Sequence, residues 1–322
     1  MHKKICVLGD GSWGTAIASL LASNGYHVNL WCYNSEIAKS INNKNINKIY
    51  FPNVILDTKI KAFTNLQDAI NGTQWVFEAI PIKFLRPILN QLKNFLNKDH
   101  ILVVLSKGIE QETFFLPTQM IDDVFSNQVK KCVLSGPSFA SELIEKKFTA
   151  VDIAASDNFL NNELSNILNN EYCRVELCED IISMQVVGAL KNIITLALGI
   201  SDGYYNSNNT KAYILINGLK EVTFLLKFFN GDTSTLNRLS GIGDLVLSAY
   251  SNNSKNYKFG FHIGQGKTIN DFLNTNLNLP EGVNSIQSIN RLIIKNNLEL
   301  PLIRNIYKII FENAGPNTLL RI

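Results

Sequence analysis

The chain has 322 residues, of which 46% are hydrophobic and 18% are charged. These values are typical of an ordinary globular protein, and the length is enough for about two domains. The net charge of only +3, with scattered basic residues, gives no reason to expect a nucleic-acid partner. Five cysteines without a CxxC pair predict buried, reduced thiols in a cytoplasmic protein rather than a metal site. No apolar run is expected to reach the length needed to span a bilayer.

The chain begins with a strand, a glycine turn, a helix and a second strand. A short apolar run at residues 5–8 predicts the first strand, and it leads directly into a GxGxxG motif. Residues 13–22 predict the helix, and residues 27–31 predict the second strand. The motif glycines are Gly9, Gly11 and Gly14.

In this context the glycine motif predicts dinucleotide binding. Gly9 would permit the tight turn, Gly11 would let the backbone approach a pyrophosphate, and Gly14 would let the helix pack closely on the strand. The free N–H groups of the helix N-terminus would bind the anion. The alternative is a glycine turn that merely links a strand to a helix.

The end of the second strand does not indicate which dinucleotide is bound. NAD-binding units usually carry an acid there for the ribose 2′-OH, and NADP-binding units often carry an arginine for the 2′-phosphate. This chain has Cys32, Tyr33 and Asn34 at that place, and Glu36 is expected to open the next helix. The choice between NAD and NADP stays open.

Strands alternate with helices up to about residue 180. Residues 42–48 are expected to form a surface loop. Strands are predicted at 59–63, 75–80, 101–105, 132–134, 150–155 and 173–177. Helices are predicted at 65–70, 85–96 and 114–125, and from the 136–138 turn to residue 144. This alternation indicates an α/β fold with a mostly parallel, doubly wound sheet, and we assign residues 1–180 to a dinucleotide-binding domain.

The second part of the chain is predicted to be helical. Residues 181–200 are apolar nearly all round, which indicates a helix buried on every side. Further helices are expected at 211–229, 236–249, 283–294 and 301–312. We therefore assign residues 181–322 to an all-helical substrate domain.

Two lysines are candidates for chemistry. Lys107 follows an apolar strand directly and should point into the crevice at the carboxyl ends of the strands, unless it is a solvated loop lysine. Lys191 lies in the middle of an apolar helix, where burial would lower the pKa of its ammonium group toward neutrality. A general acid needs that property, although the side chain could instead extend to the surface. A buried lysine requires an acidic partner, and Asp244 is a candidate.

Ser254, Lys255 and Asn256 offer a hydroxyl, a cation and an amide in what reads as a polar loop. Such a set could hold a phosphate, but a plain surface loop explains it equally well. Glu281 and Gly282 follow a proline and read as a turn.

Six short strings in this order resemble the bacterial NAD(P)-dependent glycerol-3-phosphate dehydrogenase family over nearly the whole length. They are GDGSWGTA at 9–16, SKG at 106–108, LSGPSFA at 134–140, GALKN at 188–192, GIGDL at 241–245 and EG at 281–282. The resemblance implies a Rossmann domain followed by a helical domain. It also implies interconversion of dihydroxyacetone phosphate and sn-glycerol 3-phosphate with NAD or NADP, for phospholipid synthesis, and a homodimer.

The resemblance further implies residue roles. Lys191 would be the catalytic acid/base, Asp244 would hold it, and Lys107 would add positive charge near the reacting oxygen. The implied substrate contacts are Lys107, Gly136, Ser138, Lys191, Asp244, Ser254, Lys255 and Asn256. The implied cofactor contacts are Gly9, Gly11, Ser12, Trp13, Gly14, Tyr33, Lys107, Ala140, Lys255, Pro280 and Glu281. The resemblance implies no metal.

Three positions depart from the family pattern. Tyr33 and Lys255 each stand where the family has arginine, and Pro280 replaces a valine beside the cofactor. Lysine keeps the charge of arginine but loses its bidentate fork. The first two departures weaken the case for strict NADPH preference.

Two other functions fit the same pattern. One is a two-domain nicotinamide dehydrogenase that acts on a β-hydroxyacid or a sugar acid. The other is a catalytically silent dinucleotide sensor, which would have no use for Lys191 and Asp244 together. Because fold alone does not decide function, a substrate panel and a turnover assay are needed to separate these alternatives.

Overall fold

The computed structural model describes residues 4–251, 254–274 and 279–322. The chain divides into two compact units. The first unit contains the residues up to Ser106 together with Pro117–Ile181, and the second contains Lys107–Leu116 together with Ile182–Ile322. The linear division at residue 180 did not assign the segment Lys107–Leu116 to the second unit, and this segment begins with a candidate site residue.

The first unit is built on a sheet of eight strands in the order β3-β2-β1-β4-β5-β6-β7-β8. All neighbouring strands are parallel except β6 and β7, so the prediction of a mostly parallel, doubly wound sheet is confirmed. The strands are β1 Lys4–Leu8, β2 His27–Trp31, β3 Ile60–Phe63, β4 Thr73–Glu78, β5 Ile101–Val104, β6 Lys130–Ser135, β7 Thr149–Ala155 and β8 Cys173–Leu177. The central strands read as continuous apolar runs because both faces of a parallel sheet are covered.

Seven helices lie between these strands. They are α1 Ser12–Ser23, α2 Ser35–Lys44, α3 Leu66–Ile70, α4 Ile82–Leu92, α5 Pro117–Phe125, α6 Ala140–Ile144 and α7 Asn158–Leu168. The apolar core of this unit includes Ile17 and Leu21 of α1 against Val7 and Phe77 of the sheet. All five cysteines are buried and free.

Several predicted boundaries in the first unit were wrong. The helix expected from residue 114 begins at Pro117, because Phe114 has a left-handed backbone (φ 62°) that cannot continue a helix. α4 begins and ends earlier than residues 85–96. α2 runs to Lys44 in the stretch expected to be a loop, and it ends at Asn45 in a left-handed cap. α7 was missed, although Asp157 caps it by accepting a hydrogen bond from the Leu160 N–H at 2.8 Å.

The second unit is helical, as predicted. Its helices are α8 Ile181–Tyr204, α9 Asn208–Phe228, α10 Asp244–Ala249, α11 Lys255–Gly264, α12 Ile269–Leu273, α13 Glu281–Asn296 and α14 Pro301–Phe311. Short 3-10 helices lie at Thr233–Asn237 and Pro316–Leu320, and a π-helical turn lies at Leu239–Gly243.

α8 is the central helix of this unit. With 24 residues it is long and apolar enough to cross a bilayer, so the expectation that no run reaches that length was wrong. However, 89% of its most apolar window is buried inside the protein, as in the core helix of a globular unit. Its buried residues pack against α9, α11, α13 and α14 in one apolar cluster that includes Leu190, Ile194, Leu225, Phe259 and Ile306.

Glycines bring α8 and α11 into backbone contact. A Cβ added to Gly199 of α8 would lie 2.3 Å from the Tyr257 carbonyl oxygen of α11. A Cβ added to Gly260 of α11 would lie 2.2 Å from the Leu196 carbonyl oxygen of α8. Glycine lowers helix propensity by about 1 kcal/mol relative to alanine, and α11 was not predicted from the sequence. The close approach that it permits stabilises the helix through packing instead.

The single helix expected at 236–249 is broken into three pieces. Gly241 has a non-helical backbone (φ −92°, ψ −109°), and a Cβ at this position would lie 2.2 Å from the Leu236 carbonyl oxygen. The chain therefore passes through a π-helical turn before α10 begins at Asp244. As a result, Asp244 opens a helix instead of lying inside one.

We expect Glu221→Ala to destabilise the protein by about 1–3 kcal/mol. The buried Glu221 carboxylate of α9 accepts hydrogen bonds from the Leu302 and Ile303 N–H groups at 2.7 and 2.9 Å, at the start of α14. Alanine would leave both donors buried without an acceptor. Urea unfolding would measure the loss, and Glu221→Gln, which keeps one acceptor oxygen, should lose less. Equal stability of wild type and the alanine variant would contradict this prediction.

Candidate active site

The glycine motif forms a tight turn between β1 and α1. Gly9 has a φ of 122°, and a Cβ there would lie 2.7 Å from the Ala79 carbonyl oxygen. A Cβ added to Gly14 would lie 2.0 Å from the Gly9 carbonyl oxygen. Only glycine fits at these two positions, so the turn presents bare backbone at the N-terminus of α1. Ser12 and Trp13 are the first two residues of that helix.

Asn47 supports this turn and was missed by sequence reasoning. Its buried side-chain amide donates hydrogen bonds to the Asp10 carbonyl oxygen at 3.0 Å and to Thr15 Oγ1 at 2.8 Å. The sequence gives no signal for this role, because Asn47 lies in an asparagine-rich stretch that reads as a loop. Only the folded chain brings it next to the glycine turn.

A cleft of about 460 Å³ opens beside the glycine turn at the carboxyl ends of β2 and β4. Gly9 and Gly11 form one side, and Ile80 and Pro81 after β4 form another. Tyr33, predicted to contact the cofactor, also lines this cleft and has a strongly exposed side chain. Parallel sheets bind ligands at this edge, so the cleft agrees with the predicted dinucleotide site.

Three further predicted residues lie together after β6. Gly136 follows the strand directly and is buried, with a φ of 155°. The Ser138 hydroxyl donates a hydrogen bond to the Gly136 carbonyl oxygen at 3.0 Å. Ala140 is the first residue of α6. These residues belong to the first unit, as the glycine turn and Tyr33 do.

In the second unit, Asp244 joins the two candidate lysines. Lys191 Nζ lies 2.9 Å from Asp244 Oδ1, and Lys107 Nζ lies 2.5 Å from Asp244 Oδ2. The Lys191 side chain is 10% exposed, that of Asp244 3% and that of Lys107 19%, so one buried carboxylate binds one buried and one partly buried ammonium group. Lys191 does not extend to the surface, and the acidic partner that its burial requires is Asp244.

Burial and charge act in opposite directions on these groups. Burial would raise the pKa of Asp244, but Lys107 and Lys191 outweigh it and hold the pKa of the carboxyl below its usual range. Burial lowers the pKa of Lys191; Asp244 opposes this change and Lys107 adds to it. Lys191 is therefore an ammonium group that gives up its proton more readily than an exposed lysine.

Ser248 completes the environment of Lys191 and was not predicted. Its Oγ accepts a hydrogen bond from Lys191 Nζ at 2.9 Å. Ser248 lies four residues after Asp244 on α10, so both side chains project from the same face of the helix. This i, i+4 spacing was a usable signal in the sequence, because both residues lie inside the helix predicted at 236–249.

The expected polar loop at 254–256 is the start of a helix, so that prediction was wrong. Ser254 is the N-cap of α11, and its Oγ accepts a hydrogen bond from the Tyr257 N–H at 3.3 Å. Lys255 is exposed on the first turn. The Asn256 amide donates to Asn192 Oδ1 at 2.9 Å, and its carbonyl oxygen accepts from the Gly282 N–H at 3.0 Å.

Asn256 thus connects the start of α13 to α8 beside Lys191. Pro280 is the N-cap of α13, and Glu281 and Gly282 are its first residues rather than the expected turn. Burial raises the pKa of Glu281, while Lys107, Lys191 and Lys255 act to lower it. Seven predicted residues of the second unit therefore share one neighbourhood: Lys107, Lys191, Asp244, Ser254, Lys255, Asn256 and Glu281.

Another buried carboxyl group, that of Glu78, ends β4 in the first unit. Its Oε1 accepts hydrogen bonds from the Ser106 hydroxyl at 2.6 Å and from the Ser106 N–H at 3.2 Å. Ser106 directly precedes Lys107 in the chain. Burial raises the pKa of Glu78 to about 7, against the opposing effect of these hydrogen bonds. An apolar strand context gave no reason to single out this residue.

We expect Glu78→Gln to flatten the pH dependence of stability. The pKa of Glu78 rises from its ordinary 4.5 to about 7 on folding, so its contribution is fully present below pH 4.5 and is lost as the pH rises through 7. The contribution of Glu78 to the free energy of unfolding should fall by on the order of 3 kcal/mol over this pH range. Urea unfolding from pH 4.5 to 8 would measure it, with the exposed Glu171→Gln as control. Parallel curves for wild type and Glu78→Gln would contradict the prediction.

The fold and these contacts define the class of protein to which the chain belongs. A glycine turn follows the first strand of a mostly parallel sheet, and a separate helical unit carries the lysine–aspartate–lysine cluster. This chain is a Rossmann-type dinucleotide-binding protein with an appended helical unit. Its residues 4–160 match the family described as NAD-dependent glycerol-3-phosphate dehydrogenase N-terminus, and residues 180–321 match the corresponding C-terminus. The chain belongs to the NAD-dependent glycerol-3-phosphate dehydrogenase family.

Curated relatives agree with this membership. The chain is 35% identical over 312 residues to glycerol-3-phosphate dehydrogenase [NAD(P)+] of Staphylococcus haemolyticus, covering 96% of this chain and 94% of the relative. It is 35% identical over 318 residues to the protein of the same name in Halothermothrix orenii, covering 98% and 93%. Among solved structures, glycerol-3-phosphate dehydrogenase of Coxiella burnetii matches with a TM-score of 0.94 and 29% identity, covering 99% of this chain and 98% of that one.

Proposed function

We propose that this protein interconverts dihydroxyacetone phosphate and sn-glycerol 3-phosphate with NAD or NADP as the hydride carrier, and so supplies glycerol 3-phosphate for phospholipid synthesis. The observation that carries the proposal is the buried Lys191, held by Asp244 and Ser248. This cluster occurs in a chain that is similar over nearly its full length to proteins named glycerol-3-phosphate dehydrogenase [NAD(P)+].

Lys191 is the proton donor in this proposal. Reduction of the ketone places negative charge on its oxygen, and a nearby ammonium group stabilises that charge and then protonates it. The lowered pKa of Lys191 favours this transfer. Asp244 fixes the position of the ammonium group, and Lys107, on the other carboxylate oxygen, adds a second positive charge.

The start of α11 anchors the phosphate group of the substrate in this proposal. The Ser254 hydroxyl accepts the cap hydrogen bond and keeps its own proton for a phosphate oxygen. Lys255 offers an exposed cation on the same turn. The Asn256 side chain is already hydrogen-bonded to Asn192 and to the Gly282 N–H, so its role is chiefly to hold this turn in place.

The glycine turn is compatible with a dinucleotide, because Gly9 and Gly14 keep the turn tight while a Cβ added to Gly11 would meet nothing within 4 Å, which leaves open space beside the backbone. In this proposal Gly11, Ser12 and Trp13, at the start of α1, hold the pyrophosphate. When bound, the reduced nicotinamide supplies the hydride. Gly136, Ser138, Ala140, Pro280 and Glu281 stay proposed contacts of the substrate or cofactor.

The reaction is tested by mixing purified protein with dihydroxyacetone phosphate and either NADH or NADPH. Loss of absorbance of the reduced cofactor that depends on both protein and substrate would support the proposal. A β-hydroxyacid panel in the reverse direction tests the rival dehydrogenase. Folded protein that binds a reduced cofactor but oxidises it with none of these substrates would refute the proposed reaction.

We expect Lys191→Ala to lower kcat by at least about 100-fold, since alanine removes the proton donor and its charge. Binding of the reduced cofactor should survive, because the glycine turn lies in the first unit. Lys98→Ala, which removes an exposed lysine, is the matched control and should leave kcat unchanged. Near-normal turnover of Lys191→Ala would exclude Lys191 as the proton donor.

We further propose a homodimer in the cytoplasm, with no nucleic-acid partner. The five buried, free cysteines support a reducing compartment. Tyr213, Ile216, Phe224 and Phe228 lie on one face of α9 and are 47%, 52%, 45% and 38% exposed. Such an apolar stripe supports an interface.

The oligomeric state is measured by light scattering after size-exclusion chromatography. We expect the mass of a dimer for the wild type and of a monomer for Ile216→Asp combined with Phe224→Asp. The change replaces exposed apolar contact area with charges that would lie buried and unpaired in an interface. A monomeric wild type would exclude the dimer.

A further inference from the structure

The cleft beside the glycine turn has an unusual charge distribution for a site that could accept a phosphorylated ribose. Its lining, taken over the described residues, contains one carboxyl group, that of Asp10, and no lysine, arginine or histidine. The rest of the lining is aromatic, aliphatic, glycine or amide. The cleft lies at the ends of β2 and β4, next to the turn that binds a pyrophosphate, which is where adenosine lies in this fold.

Three aromatic rings at this cleft are exposed. The side chains of Tyr33, Tyr50 and Phe84 are 84%, 42% and 52% exposed. Aromatic rings grouped around a cleft suit the flat face of a purine base, on which they can stack. Tyr33 also contacts Trp31 edge to face, with 6.5 Å between ring centroids, which holds its ring at the end of β2.

Asp10 brings a carboxylate to the same edge. Its Oδ2 accepts a hydrogen bond from the Asn34 N–H at 2.9 Å, just beyond the end of β2. NAD-binding units usually carry their ribose-binding acid on β2 itself. Here the acid comes from the glycine turn, and a backbone N–H after β2 orients it. A carboxylate has capacity for further hydrogen bonds, so it can accept one from a ribose hydroxyl.

The nearby cations are engaged elsewhere. Lys39 and Lys48 are both ion-paired with Glu36, at 3.1 and 3.3 Å, and Glu36 lies in the first turn of α2. Lys83 Nζ lies over the Phe84 ring, 4.6 Å from its centroid. These side chains are not part of the cleft lining. A dianion in the cleft would face Asp10 and aromatic rings instead.

We propose that this cleft selects NAD(H) over NADP(H), with Asp10 and Tyr33 as the residues that determine the preference. The proposal rests on the proposed function, in which a nicotinamide dinucleotide is the cofactor. A free 2′-hydroxyl can donate to the Asp10 carboxylate. A 2′-phosphate would bring two negative charges next to that carboxylate without a guanidinium or ammonium group to neutralise them.

Binding of cofactor fragments tests the selection without any turnover. Isothermal titration with ADP-ribose and with 2′-phospho-ADP-ribose, followed by NADH and NADPH, gives dissociation constants for each pair. We expect the ligand without the 2′-phosphate to bind at least about tenfold more tightly in both pairs. Equal binding, or tighter binding of the phosphorylated ligands, would overturn the proposal.

Two variants test the assigned residues. Tyr33→Arg adds a cation at the end of β2 and should tighten NADPH binding at least about tenfold relative to NADH. Asp10→Asn keeps an acceptor for the Asn34 N–H but removes the negative charge, so it should reduce the preference for NADH over NADPH. Lys83→Ala is the control and should leave the ratio unchanged. If Lys83→Ala changes the ratio of the NADPH and NADH dissociation constants and Tyr33→Arg does not, a cation outside the cleft binds the 2′-phosphate and the proposal is wrong.

These measurements distinguish the proposed selection of NAD(H) over NADP(H) from the proposed reaction. A protein that selects NADH but does not oxidise it with dihydroxyacetone phosphate refutes the proposed function and leaves the selection standing. A protein that reduces dihydroxyacetone phosphate with NADH and NADPH at equal binding strength supports the function and overturns the selection.

Discussion

The candidate site of the second unit depends on one carboxylate, Asp244, that binds two ammonium groups. Buried charges are costly unless each is paired and hydrogen-bonded. Lys191 contacts Asp244 and Ser248, and Lys107 contacts the other oxygen of Asp244. The three groups carry a net positive charge when ionised, and burial raises the pKa of the nearby Glu281, which weakens its tendency to cancel that charge. An anionic substrate can compensate that surplus, and for this reason the cluster is better suited to a binding site than to a purely structural ion pair.

Backbone contacts set the geometry around this cluster. Reciprocal glycines let α8 and α11 approach until a single Cβ would collide with a carbonyl oxygen. This approach brings Asn256 within hydrogen-bonding distance of Asn192, the neighbour of Lys191. The π-helical turn before α10 then starts a new helix at Asp244, so that Ser248 follows on the same face one turn later. Packing of main chain, more than side-chain volume, positions the polar groups.

The two units have opposite electrostatic character at their candidate sites. The cleft of the first unit is aromatic, with one carboxylate and no cation in its described lining, whereas the cluster of the second unit contains one buried and one partly buried lysine. A neutral adenosine suits the former, and a phosphorylated three-carbon substrate suits the latter.

The sequence by itself determined the parallel sheet, the glycine turn, the central helix α8 and the candidacy of Lys191 and Asp244. These features depend on local patterns: apolar runs, glycine spacing, and a lysine in an otherwise apolar helix. Tertiary structure alone decided that residues 254–256 open a helix, that Asn47 supports the glycine turn and that Lys107–Leu116 joins the second unit. Each of these depends on contacts between residues distant in the chain, and such contacts can override local propensity because burial and backbone packing involve larger energies.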